Sequence, residues 1–106
     1  MSNIKFDFEE YIRRILLENN RKYGNQFASY HEMYGVLKEE AEEANENLSL
    51  LDYNILKMWD SIKKDKIVDV ITYLKNIEIC ANSCMNELLQ VRAICKKYLE
   101  QTKIIK

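Results

Sequence analysis

DKIVDVITYLKNIEICANSCMNELLQVRAICKKYLEQ, residues 65–101, decides the fold. Ile67, Val70, Leu74, Ile77, Ala81, Cys84, Leu88, Val91, Cys95 and Tyr98 alternate spacings of three and four without a fault. That is the apolar seam of a heptad repeat, and no proline or glycine interrupts it. The spacing predicts one helix from about Asp65 to Gln101. At about 1.5 Å per residue it would run roughly 55 Å. A compact domain of this length is roughly 26 Å across. Part of the seam is therefore expected to pack on a second copy of the chain, with a kink near Asn82-Ser83 as the alternative. Beside the seam runs a more polar stripe, Tyr73, Asn76, Cys80, Ser83, Glu87, Gln90 and Ile94, regular enough to line a groove or an interface.

Three shorter helices are expected upstream, giving a four-helix, all-α bundle in a single domain over residues 1–106. The first runs from about Asp7 to Lys22, with Phe8, Ile12, Ile15 and Leu16 as its apolar side. A stop and loop follow at Asn19 to Asn25, around Gly24. The second opens at Ser29, where Ser29-Tyr30-His31-Glu32 fits a capping box. Its stripe is Met33, Leu37, Ala41, Ala44 and Leu48. A short third helix is expected from a start signal at Ser49/Asp52 to Lys63 or Lys64, buried through Leu51, Ile55, Met58 and Ile62, with Trp59 at the edge.

Composition agrees with helices. The 106 residues include 2 Gly and 0 Pro, too few for the frequent turns of an all-β fold. The net charge of -1 predicts no bulk attraction to nucleic acid or to a membrane surface. No stretch reads as a signal peptide or a membrane span. Cys80, Cys84 and Cys95 are an odd set of 3, expected to be reduced thiols in a cytoplasm. Cys80 and Cys84 could share a metal at i,i+4, but His31 is the lone histidine and no second cysteine pair completes a tetrahedral site. Small buried hydrophobes are the simpler reading of the thiols.

The chemistry lies in a run of acids. Residues 32 to 46 hold Glu32, Glu39, Glu40, Glu42, Glu43 and Glu46, with Lys38 the single Lys or Arg. On a helix, positions three and four apart share a face, so Glu39 and Glu40 both neighbour Glu43. Like charges there repel unless they point into water or a cation sits among them. Oxygen ligands of this kind suit Mg²⁺. Glu39, Glu40 and Glu43 flank the apolar stripe, whereas Glu42 and Glu46 point away from it and are expected to be solvated.

The pattern resembles the MazG-type, all-α nucleoside triphosphate pyrophosphatases, in particular small phage-type and prophage-type members. Glu39-Glu40-Ala41-Glu42-Glu43 matches the E-E-x-x-E motif that faces E-x-x-D on another helix in that superfamily. The flanking Tyr30-His31-Glu32-Met33-Tyr34-Gly35-Val36-Leu37 looks similar too, as do the tracts Met58-Trp59-Asp60-Ser61-Ile62-Lys63 and Glu87-Leu88-Leu89-Gln90-Val91-Arg92-Ala93. The resemblance covers about residues 25 to 100. It implies Mg²⁺ as cofactor, a nucleotide as ligand, and cleavage of a triphosphate to monophosphate and pyrophosphate, in the cytoplasm of a bacterial host for a phage protein. Glu39, Glu40 and Glu43 would be metal ligands, with Glu39 and Glu43 also catalytic.

The second motif departs from the family in either register. Glu87-Leu88-Leu89-Gln90 keeps the acid and puts an amide where aspartate belongs. Lys66-Ile67-Val68-Asp69 keeps the aspartate and puts a cation where glutamate belongs. The first register fits the phage-type pattern better, with residues 50 to 80 as an inserted hairpin arm, and makes Glu87 a metal ligand beside Gln90. The second would make Asp69 that ligand. Either loses a carboxylate, so binding is expected to outlast hydrolysis. Arg92 and Lys96 are expected to hold phosphate without metal. Two other classes fit the same residues. One is a phage-type counter-defence protein that sequesters a nucleotide or nucleotide-derived signal without turnover. The other is a purely structural helical interaction module, in which the acids are only a hydrated face. All three readings suit a homo-oligomer, dimer or tetramer.

Overall fold

A computed structural model describes residues 7–24, 26 and 28–105, with the backbone alone for Tyr23 and for 102–105. Among the described residues the protein is all-α, with three helices: α1 (Phe8–Tyr23), α2 (Tyr30–Lys63) and α3 (Ile67–Ile105). The four expected helices are thus three, because the second and third are one helix of 34 residues. The Ser49/Asp52 start signal lies inside it. No Pro or Gly falls between Gly35 and Lys63 to break the backbone. The polar residues there turn back on their own helix: the Asn47 and Asn54 amides donate to the carbonyls of Glu43 and Leu50 at 3.2 and 2.7 Å. Residues that cap helices elsewhere satisfy themselves four positions back here.

The remaining boundaries follow their local chemistry. Asp7 caps α1, its Oδ1 accepting from the Glu10 N–H at 3.1 Å. Gly24 ends α1 at φ 87, a left-handed conformation that glycine adopts without Cβ strain. The Ser29 hydroxyl oxygen accepts from the Glu32 N–H at 3.1 Å, the first half of the expected capping box. The expected loop up to Asn25 ends on a residue outside those described. The long last helix runs unbroken over 39 residues, through Asn82-Ser83. No helix among the described residues is long and apolar enough to cross a membrane.

The chain divides into two compact units, one of Met1–Glu40 with Leu89–Lys106, the other of Ala41–Leu88. In the first, α1 lies on the C-terminal part of α3. Ile12, Leu89 and Ala93 are buried together, with Ile15 and Leu16 packed against them. Ala93 takes almost no room, which lets Ile12 bury its whole side chain for roughly 2–3 kcal/mol of hydrophobic stabilisation. One helical turn past Ala93 a cation, Lys97, is buried as well. Its Nζ donates to Asn19 Oδ1 at 2.6 Å and to the Gly24 carbonyl at 2.8 Å, tying the end of α1 to α3.

The second unit is an antiparallel hairpin in which α3 packs on α2. Its buried residues are small or polar: Ala44, Asn54, Ser61 and Cys80. The Asn76 amide donates to Asn54 Oδ1 at 3.1 Å across the pair, and the Cys84 thiol to the Ala44 carbonyl at 3.7 Å. These contacts set the register of the two helices. The polar stripe through Tyr73, Asn76, Cys80, Ser83 and Glu87 lines this interface, buried or half-buried, while the heptad seam is shared: Val70, Ile77, Ala81 and Cys84 are half-buried and Ile67, Leu74 and Leu88 are exposed.

The turn of the hairpin is a Schellman motif. The Lys66 N–H reaches the Ser61 carbonyl at 2.9 Å and the Asp65 N–H reaches that of Ile62 at 3.1 Å. Asp65 sits at φ 53, in the left-handed region where glycine is the usual occupant. Asp65→Gly is expected to raise stability by about 0.5–1 kcal/mol, and Asp65→Val to lower it by more than that. Urea unfolding of the two variants checks the opposite signs.

Candidate metal centre

Glu40, Glu43 and Glu87 come together. One carboxylate oxygen of each lies within 4.8 Å of the others, and all three residues are half-buried. Glu43 and Glu87 belong to the hairpin unit, and Glu40 is one turn earlier on the same unbroken α2. The sequence explains why they meet. Ala44 and Cys84 are small, and the thiol–carbonyl contact between them sets α2 level with α3. Glu43 precedes Ala44 by one residue, and Glu87 follows Cys84 by three, about one helical turn. The Oε2 atom of Glu87 is withdrawn from solvent.

The arrangement can do what isolated surface acids cannot. Two oxygens bound to one Mg²⁺ at about 2.1 Å lie roughly 3 to 4.2 Å apart. Oxygens already this close need only small side-chain rotations to reach that spacing. An all-oxygen donor set also suits a hard divalent cation better than a soft transition metal. Among the described residues this is the one group of three or more His, Cys, Asp or Glu side chains close enough to hold an ion.

The other residues singled out by sequence are placed as follows. Glu39, Glu42 and Glu46 are exposed, and none belongs to the group. Asp69 lies in the first turn of α3, at the closed end of the hairpin. It stands 18 residues before Glu87, or about 27 Å along the helix. Gln90 is half-buried, one turn past Glu87 on α3. Arg92 and Lys96 are engaged elsewhere: Arg92 Nη2 and Lys96 Nζ donate to the two carboxylate oxygens of Glu9, at 3.1 and 2.9 Å. Those bonds, from Lys96 first and Arg92 second, hold the Glu9 carboxyl below the usual glutamate range. Arg13 and Arg14 are likewise paired, with Glu10. The three cysteines are free thiols; Cys80 is buried and Cys95 is exposed.

Glu9 and Lys97 were not marked by the sequence reading. Burial pushes the Lys97 ammonium below the ordinary lysine range, and the charge of Glu32 opposes that shift. A spacing signal for Lys97 did exist. It is four residues from Ala93 and eight from Leu89, which places it on the buried side of α3. Glu9 had none beyond its place in the first turn of α1.

No family model, no curated protein and no solved structure matches this chain. The fold and site together define an all-α, three-helix protein with a half-buried glutamate triad able to hold a metal ion.

Proposed function

We propose that this chain is a MazG-like nucleotide-binding protein whose Glu40, Glu43 and Glu87 hold Mg²⁺ for the phosphates of a nucleoside triphosphate. One observation carries the reading. Two acids of the E-E-x-x-E run on α2 converge with an acid of α3, the helix on which the resemblance places the second motif. When bound, Mg²⁺ neutralises charge on the phosphate oxygens and helps orient water for attack. The chain's own residues divide the remaining work. Glu43 is the central ligand, and Glu39, exposed beside Glu40, is the proton acceptor. Arg92 and Lys96 reach a phosphate only by releasing Glu9.

Gln90 favours a second reading of the same site. It offers a neutral amide where the resembling family has an aspartate, so the site carries one negative charge fewer. Hydrolysis is then weak or absent, and the protein sequesters a nucleotide or nucleotide-derived signal. Free thiols, one of them exposed, suit a cytoplasmic setting for either reading.

Incubation with a panel of nucleoside triphosphates and Mg²⁺ separates the two. The enzyme reading expects pyrophosphate release that falls by about 100-fold or more in Glu43→Gln. The sequestering reading expects one nucleotide to raise the melting temperature and to be recovered intact. Neither turnover nor a thermal shift across the panel would leave the nucleotide reading without support.

A further inference from the structure

The second unit leaves an apolar side with a heptad repeat uncovered. Leu48, Ile55 and Ile62 recur at every seventh position of α2, and Ile67, Leu74 and Leu88 fall on the same repeat in α3. All six are between 43% and 67% exposed. At about 100° per residue, each set lies to the same rotational side of its helix's inward stripe. In an antiparallel pair that places both sets on one face of the hairpin. Ile62, Ile67 and Val70 line a common hollow, as that placement requires. Trp59, Ile71 and Met85 border the face and are also exposed. The opposite side of the hairpin also exposes Leu50, Tyr53, Val68 and Ile79, but without a seven-residue repeat and interspersed with Glu46, Lys57, Thr72 and Asn86.

We propose that this face packs on the same face of a second copy of the chain, antiparallel about a two-fold axis, to form a four-helix bundle. Two helices with heptad stripes on one side are half of such a bundle. The nine large side chains, each about half exposed, hold on the order of 800 Å² of coverable surface, the area each partner gives to a stable complex. Charge specifies the direction. The open end of the hairpin, residues 41–48 and 82–88, carries Glu42, Glu43, Glu46 and Glu87 and no Lys or Arg. The closed end, residues 60–69, balances Lys63, Lys64 and Lys66 against Asp60, Asp65 and Asp69, with Lys63 paired to Asp60 at 3.4 Å. An antiparallel two-fold sets each charge-balanced tip, with its lysines, beside the partner's acidic end, whereas a parallel pairing would set acid against acid. This inference does not depend on nucleotide binding.

Light scattering on the full chain at tens of micromolar is expected to give twice the chain mass. Leu74→Glu and, separately, Ile55→Glu are expected to give the monomer mass with helical circular dichroism retained. Carbodiimide coupling of mixed, exchanged light and ¹⁵N-labelled chains is expected to join Lys63–Lys66 peptides of one isotope to Glu42–Glu46 peptides of the other. That coupling uses the unaltered sequence, so it reads the interface even where a substitution unfolds the chain. A monomeric unaltered chain overturns the proposal. So does a dimer that survives both substitutions, or inter-chain coupling confined to acids and lysines of the same end.

Discussion

Lys97→Ala should lower the free energy of unfolding by about 3 kcal/mol, and the melting temperature by roughly 10–20 °C. The buried ammonium makes two charge-assisted hydrogen bonds, to Asn19 Oδ1 and to the Gly24 carbonyl. Truncation removes the donor to the half-buried Asn19 and to the Gly24 carbonyl, and with it the tie between α1 and α3. It also empties the volume of the lysine stem beside Ile94 and Ala93, which are themselves buried. Lys97→Met separates the two losses, because it keeps most of the stem and removes the donors. Its expected loss is smaller, about 2 kcal/mol. The pH dependence carries a definite sign. Burial holds the folded-state pKa of Lys97 below its ordinary value. Between the lowered value and about 10.4 the unfolded chain binds more protons than the native one. Stability therefore rises with pH through that window. The neutral amine keeps two N–H donors, enough for Asn19 Oδ1 and the Gly24 carbonyl. Urea midpoints of the unaltered chain and Lys97→Met are thus expected to diverge as pH rises from 8 to 10. Coincident midpoints at pH 8 would show that the tie between α1 and α3 contributes nothing.

The contrast between Lys97 and the heptad seam shows what was legible in the sequence. Local chemistry was legible. Asp7, Gly24 and Ser29 act within a turn of themselves, and the helix ends at those points lie within a residue or two of where spacing put them. The unbroken α3 was legible because nothing in it stops a helix. The merger of the second and third helices was missed because Ser49 and Asp52 look the same whether they cap a helix or sit inside one. The inward face of the hairpin was legible only as a polar stripe fit for a groove or an interface, for a different reason. Periodicity ranks stripes by apolarity, yet α2 and α3 meet through Ala44, Asn54 and Ser61 against Asn76 and Cys80. Small side chains and one amide pair allow that approach, and Ile67, Leu74 and Leu88 of the stronger stripe are left outside. In the site, the shared face of Glu40 and Glu43 follows from spacing alone. Glu87 does not, since its place beside them depends on the Cys84–Ala44 register between helices. The pairs Arg92–Glu9 and Lys97–Asn19 join residues 83 and 78 positions apart, a separation that leaves no periodic trace.

Millimolar Mg²⁺ is expected to raise the stability of the unaltered chain, and Glu87→Gln to abolish that rise without destabilising the metal-free protein. At ten times its dissociation constant an ion that binds only the native state contributes about 1.4 kcal/mol. For a domain of this size that is a shift of roughly 6–10 °C. The second half of the expectation makes the test specific. Without an ion, three carboxylates with oxygens within 4.8 Å of one another repel. A pair at that distance loses a few tenths of a kcal/mol to about 1 kcal/mol in a wet, screened setting. Replacing Glu87 by its neutral isostere relieves part of that repulsion and removes a charged ligand. One substitution should therefore leave the metal-free melting temperature unchanged or slightly higher and erase the response to Mg²⁺. Asp69→Asn, some 27 Å away along α3, should leave the response intact. Sodium chloride at matched ionic strength separates binding from screening, because screening also relieves the repulsion but needs no ligand geometry. An equal shift with Mg²⁺ in the unaltered chain and in Glu87→Gln, or an equal shift with the sodium salt, would reduce the triad to three solvated acids that happen to lie close together.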